Sequence, residues 1–268
     1  VSNYLEFVSA GNHEGSTKRN FVLFGHSGVG KTTSVSKITN VAVVLSERHH
    51  ISTVKASNPE AILFPVTTWD ELRQVYLTIR DKAIENGIRA VALDSATDVM
   101  SMAKRQVLST SKNVTPSISE WGRIIDMSFD LFRAFRDLPV SVVYVCLAEE
   151  TQDSDGESMR TLVRPQMVGR KSVGKLMGMV HACGYAFKTG SGGEIEYKVC
   201  WDKSDDRVIV KAHEGLPPIM MLDMNEALKL ATESERKADE TQVKKKKAPK
   251  KKKVEAEEAN SESELELE

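Results

Sequence analysis

Phe21-Val22-Leu23-Phe24-Gly25-His26-Ser27-Gly28-Val29-Gly30-Lys31-Thr32-Thr33 passes from four consecutive apolar residues into a glycine-rich turn that ends on a lysine and two threonines. A short apolar run stopped by glycine reads as a buried strand. The spacing Gly25-x-x-x-x-Gly30-Lys31-Thr32 then curls the backbone so that successive N–H groups face inward, forming a donor-lined hollow for phosphate oxygens. A helix opening near Lys31 adds a positive dipole end on the same side. In that arrangement Lys31 reaches the outer phosphates, the Thr32 hydroxyl serves Mg²⁺, and Thr33 sits toward the inner phosphate. His26, inside the turn, contributes a backbone N–H rather than acid–base chemistry. Residues 25–33, namely Gly25, His26, Ser27, Gly28, Val29, Gly30, Lys31, Thr32 and Thr33, are the candidates for holding ATP.

Working outward, apolar runs at 41–45, 62–66, 90–93 and 140–147 read as further buried strands. Between them, 31–39, 69–86, 97–109 and 118–137 read as helices. Strand and helix in alternation predict an α/β fold, a mostly parallel sheet with helices on both faces. From Gly184 onward the segments 185–187, 195–201 and 207–211, with a turn at 190–193, predict an antiparallel extension. Near Glu233 the apolar periodicity stops. A lysine-rich block at 244–253 and a glutamate-rich end follow, too polar to bury a core, so 233–268 is expected to be a disordered charged tail. The chain thus divides into an N-terminal segment 1–16, a core 17–232 and the tail.

The second acidic element is Val91-Ala92-Leu93-Asp94, an apolar strand ending in a carboxylate suited to Mg²⁺. The competing reading is an Asp capping the helix that begins near Ala96. Ser95 follows Asp94 where an adjacent glutamate could have served as base, so hydrolysis needs a base from elsewhere. Glu47, just past the strand 41–45, is one candidate, because functional side chains gather at the carboxyl ends of strands in such sheets. Glu149 and Glu150 follow the strand 140–147, which places one of the two beside the outermost phosphate to sense its loss; the competing reading leaves both simply exposed. His49 and His50 lack a partner at metal-ligand spacing and read as loop residues.

Composition bounds the rest. A formal net charge of −1 and a pI near 6.7 neither require nor exclude nucleic acid. Cys146, Cys183 and Cys200 lie far apart, which fits neither a zinc site nor a disulfide framework and suits a cytoplasmic compartment. No apolar run is long enough to span a bilayer, so no membrane partner is expected. Local charge is more informative. Arg160, Arg164, Arg170, Lys171 and Lys175, interleaved with glycines, read as a mobile basic stretch able to track a phosphate backbone.

The phosphate loop, Leu93-Asp94-Ser95, Trp121-Gly122 opening a long helix, and Val208-Ile209-Val210-Lys211 with Gly215-Leu216-Pro217-Pro218 together resemble phage RecA-like ATPases of the Sak single-strand-annealing group, AAA-type nucleotide-binding proteins. The resemblance spans residues 18–230. It implies a RecA-like P-loop NTPase core that uses ATP and Mg²⁺, assembles into a homo-oligomer, binds single-stranded DNA and promotes annealing or recombination, with a single-strand-binding protein as a further partner. It also implies Glu47 as the base, Glu149 as the link between nucleotide and DNA, and Lys211 as a cation acting on a neighbour's nucleotide. Relatives tend to continue the last strand as Lys-Asp-Arg; this chain has Lys211-Ala212-His213. Two other readings stay open from sequence, a nucleotide kinase and an ATP-gated adaptor such as a helicase loader.

Overall fold

The computed structural model describes residues 18–154, 159–169, 171–191, 194–202 and 207–247. Strand β1 (Asn20–Gly25) leads through the glycine-rich turn into α1 (Lys31–Ser36) and β2 (Val41–Leu45). A 3-10 turn, Arg48–His50, and α2 (Ile51–Ser57) precede β3 (Ile62–Pro65), α3 (Trp69–Lys82), β4 (Ala90–Asp94), α4 (Ala96–Leu108) and α5 (Ile118–Arg136). The chain continues as β5 (Ser141–Ser154), β6 (Met159–Pro165), α6 (Ser172–Gly178), β7 (Ala182–Thr189), β8 (Glu196–Cys200), β9 (Ile219–Met221) and α7 (Met224–Lys247).

The sheet runs β3-β2-β4-β5-β1-β7-β8-β9, with β6 paired to β5. From β3 to β7 every neighbour is parallel, and β8 and β9 are antiparallel. The expected antiparallel extension therefore begins one strand later than the sequence implies. β7 pairs in parallel with β1, Phe21 opposite Ala182 through Gly25 opposite Ala186. Residues 207–211 make only isolated bridges, Val163 with Val208 and Cys183 with Lys211.

Side chains alternate between the faces of each strand, and both faces are covered. Val22, Phe24, Val91, Leu93 and Tyr144 pack with α3, α4 and α5 through Leu72, Ile79, Met100, Phe129, Phe132 and Phe135. Phe21, Leu23, Ala90, Ala92 and Val143 face the other way, toward Val35, Ile38, Trp201, Met224, Ala227 and Leu228. Such two-sided burial explains why the strands read as unbroken apolar runs instead of alternating ones. Capping boxes fix two helix starts, Thr68 with Glu71 for α3 and Ser117 with Glu120 for α5.

Further segments differ from the sequence reading, among them α3, which ends at Lys82 and not at residue 86. The stretch after Glu150, expected to be mobile, continues β5 to Ser154 and returns as β6, a hairpin registered from Ala148–Pro165 to Ser154–Met159. α1 ends at Ser36, short of the expected 39. α7 continues as helix to Lys247, beyond residue 233, where disorder was expected. Residues rich in Glu, Lys, Arg and Ala lose little side-chain freedom in a helix, so a segment too polar for a core can still be helical. Residues 248–268 and residues 1–17, which include the N-terminal segment 1–16, lie outside the described residues. Among the described residues no helix is long and apolar enough to cross a membrane.

Candidate functional site

At the carboxyl ends of the central strands lies a cavity of about 620 Å³. Its floor is the turn after β1. Gly25 is required there because a Cβ would meet the Ala186 carbonyl oxygen of β7 at 2.5 Å. Gly28 and Gly30 hold φ of 76° and 84°, the left-handed region where other residues are strained. Val29, 7% exposed, anchors the turn in the core. Ser27, Gly28, Gly30, Lys31, Thr32 and Thr33 line the cavity. His26 is exposed outside it.

Lys31 is 9% exposed. Its ammonium donates to the carbonyls of Gly25 and His26, both at 2.8 Å, which folds the side chain back over its own loop. Burial holds its pKa below the usual lysine value, opposed chiefly by the negative charge of Asp94. Asp94 is 5% exposed, and burial pushes its carboxyl above the usual range while the Thr32 hydroxyl pulls it down. Thr32 Oγ1 donates to Asp94 Oδ2 at 2.6 Å. A buried carboxylate beside a hydroxyl, the two hard oxygens coming from separate elements, is the donor chemistry that Mg²⁺ takes. The residues fit that ion.

Asp94 is not the cap of α4. Ser95 fills that position, its Oγ accepting from Asp98 N at 3.2 Å and donating to Asp98 Oδ2 at 2.8 Å. Ser46 Oγ donates to the same Asp98 Oδ2 at 2.7 Å and accepts from Ser95 N at 3.0 Å, while Ser46 N donates to the Asp94 carbonyl at 2.8 Å. These bonds tie the end of β2 to the end of β4. They fix Glu47, the residue after Ser46, relative to Asp94.

Glu47 lines the cavity, and so do His49 and His50. The two histidines are not isolated loop residues. The 3-10 turn brings His49 Nε2 to 3.1 Å and His50 Nε2 to 3.8 Å from Glu47 Oε2. Linear spacing gave no sign of this, because a tight turn and not a helix face brings the three together.

Glu149 and Glu150 point to different partners. Glu149 Oε1 accepts from Arg164 Nε at 2.9 Å across the β5–β6 hairpin. Glu150 Oε1 lies 3.8 Å from His26 Nε2 on the phosphate loop. Glu150, rather than Glu149, is the one that meets the loop. Arg160 and Arg164 lie four residues apart on β6 and so share a face. Lys171 and Lys175 are exposed at α6, the Lys175 ammonium resting 5.6 Å from the Phe129 ring centroid. Arg170 lies outside the described residues. Lys211 donates to the carbonyls of Met177 and Val180, at 3.0 and 2.6 Å, and so caps the end of α6 in its own chain.

Sequence reasoning missed Tyr197 and Leu222. Both line the cavity beside Gly30, whose hypothetical Cβ would touch their side chains at 3.6 and 3.7 Å. No local motif marks them, since they come from β8 and the turn after β9. Cys146 also reaches the cavity, but burial pushes its thiol up to about 12, so it stays protonated.

Residues 17–213 match the AAA domain family. The chain belongs to that family. This AAA domain is a P-loop ATPase, and its mostly parallel, helix-flanked sheet is the α/β architecture that the sequence predicts. Among solved structures the AAA domain is similar to a KaiC-like protein from the hyperthermophilic archaeon Pyrococcus horikoshii OT3, at 12% identity and a TM-score of 0.41, over 70% of this chain and 80% of that one. It is also similar to an ATPase of the type III secretion system of pathogenic bacteria, at 16% identity and a TM-score of 0.42, over 63% of this chain. The match spans about half, 52%, of that ATPase. No curated protein matches the chain.

Proposed function

We propose that this AAA domain hydrolyses ATP with Glu47 as the base and uses the hydrolysis to control binding and annealing of single-stranded DNA. The observation that carries the reading is the path of β5. It runs between β1 and β4, the strands that deliver the phosphate loop and Asp94, and then leaves the sheet as the hairpin bearing Arg160 and Arg164. Glu150 meets the phosphate loop through His26, and the next residue back, Glu149, holds Arg164. One strand therefore touches both the phosphate loop and the basic surface.

In this account the glycine turn and Lys31 bind the phosphates, while Thr32 and Asp94 would hold Mg²⁺. When bound, that ion would neutralise phosphate charge. Glu47 accepts the proton of the attacking water, and Tyr197 with Leu222 flank the base. Arg160, Arg164, Lys171, Lys175 and, outside the described residues, Arg170 contact DNA phosphates. Assembly into a homo-oligomer, with a single-strand-binding protein as a further partner, belongs to the same reading. Because Lys211 is engaged within its own chain, no action on a neighbour's nucleotide is included.

The test is ATP turnover with and without single-stranded DNA, with Lys31→Ala as control. Stimulation by DNA that falls as salt rises, absent from the variant, supports the proposal. Salt-insensitive turnover unaffected by DNA contradicts it, and phosphate transfer to a nucleoside monophosphate would replace it with a kinase.

A further inference from the structure

Glu47, His49 and His50 form a group whose chemistry differs from the oxygen donors of Thr32 and Asp94. One ligand atom from each residue lies within 4.8 Å of the others. Both imidazole Nε2 atoms approach the same carboxylate oxygen, at 3.1 and 3.8 Å, and the rings meet edge-on with centroids 4.1 Å apart. Ligands on a tetrahedral zinc ion, about 2.0–2.1 Å from the metal, stand ~3.3 Å from one another. The separations of His49 and His50 from Glu47 come close to that.

We propose that Glu47, His49 and His50 form a site for a divalent transition metal, Zn²⁺ foremost, at the mouth of the nucleotide cavity. Two imidazoles and one carboxylate select zinc-like ions over Mg²⁺, which prefers all-oxygen sites. Asp94, a buried carboxylate, lines the same cavity. All three ligands line the cavity, and His49, with 71% of its side chain exposed, leaves the site open to incoming metal. Three protein ligands leave a fourth position for water.

The consequence rests on the reading of Glu47 as the base. A carboxylate that coordinates zinc is no longer available to take a proton from water, so the metal switches hydrolysis off while leaving the phosphate loop intact. Zinc would act as an inhibitor competing with neither ATP nor Mg²⁺ for their own ligands.

The experiment uses the untagged full chain and two readouts. Titrated with Co²⁺ alone, the wild type is expected to take up one ion per chain with visible d–d absorption bands that Zn²⁺ displaces. His49→Ala/His50→Ala is expected to lose at least about tenfold in Co²⁺ affinity. Circular dichroism verifies that the variant is folded, and His49→Ala alone serves in its place if the double variant is not. Bands absent from the wild type, or equal in wild type and variant, overturn the site. Micromolar Zn²⁺ is then expected to suppress turnover of Mg²⁺–ATP in the wild type alone. Metal binding without inhibition leaves the site standing and removes Glu47 as the base, so the two failures are distinguishable.

Discussion

The two sides of the nucleotide cavity are built differently. On the phosphate side, Lys31 and Asp94 are buried and Thr32 half-buried, joined by short hydrogen bonds to one another or to the loop backbone. On the opposite side, Glu47, His49 and His50 sit on a single 3-10 turn, partly or largely exposed, with only each other as close ionic partners among the described residues. The hairpin side is similar, with Glu150 and His26 both open to solvent. Holding phosphate needs donors preset by packing. Groups that must meet water, or respond to the loss of a phosphate, need room to adjust.

The largest effect that tests this contrast is Lys31→Ala. Removing a preset cation from the phosphate side is expected to lower ATP turnover about 10²–10³-fold, read by steady-state phosphate release. A fall of less than tenfold would mean that the buried side is not the binding side. Gly25→Ala probes the rigidity of the same region. The new Cβ would lie 2.5 Å from a backbone oxygen that cannot move without shifting β7, so a loss of about 1–3 kcal/mol of stability is expected by urea melting.

Asp94→Asn separates stability from function. Because burial raises the Asp94 pKa, the folded chain binds the extra proton between the unfolded value, near 3.8, and its own higher one. Stability without nucleotide therefore falls as pH rises through that window, and the cost persists above it. Asparagine carries no charge at any pH, so the variant is expected to melt higher by about 2–4 °C at neutral pH and to lose Mg²⁺-dependent nucleotide binding. A lower melting temperature would contradict the burial argument. The smallest effect belongs to the hairpin: a double-mutant cycle on Glu149 and Arg164 should give a coupling of about 0.2–1 kcal/mol, and its value should change when ATP is added if β5 links the two surfaces. Identical coupling with and without ATP breaks that link.

The phosphate side was legible in the sequence because its residues are local. Gly25 to Thr33 are contiguous, and Leu93-Asp94 announces itself as an apolar strand with a charged end. The parallel strands β1, β2 and β4 and the first half of β5 were legible because two-sided burial leaves unbroken apolar runs, whereas β3, a partly exposed edge strand, showed only through its short apolar run. What was not legible depends on where the chain turns back. β7 contains Gly184 and is followed by Gly190, and its composition says nothing of whether it pairs with β1 in parallel or with β8 antiparallel. The His49–His50 pair gains its partner from a 3-10 turn whose spacing matches no helical ligand pattern. Tyr197 and Leu222 reach the cavity from β8 and the turn after β9, more than 160 residues away from the glycine turn. The β5–β6 hairpin was hidden by its charge, because arginines and glutamates paired across two strands look in sequence like a solvated loop.

The central claim is that the exposed side of the cavity drives hydrolysis while the buried side binds. Nucleotide affinity and single-turnover hydrolysis of Mg²⁺–ATP, measured on Glu47→Gln beside wild type, test it most directly. The account predicts affinity within about twofold of wild type and hydrolysis slower by about 10²-fold or more. Hydrolysis at the wild-type rate, or affinity lost together with rate, would contradict it.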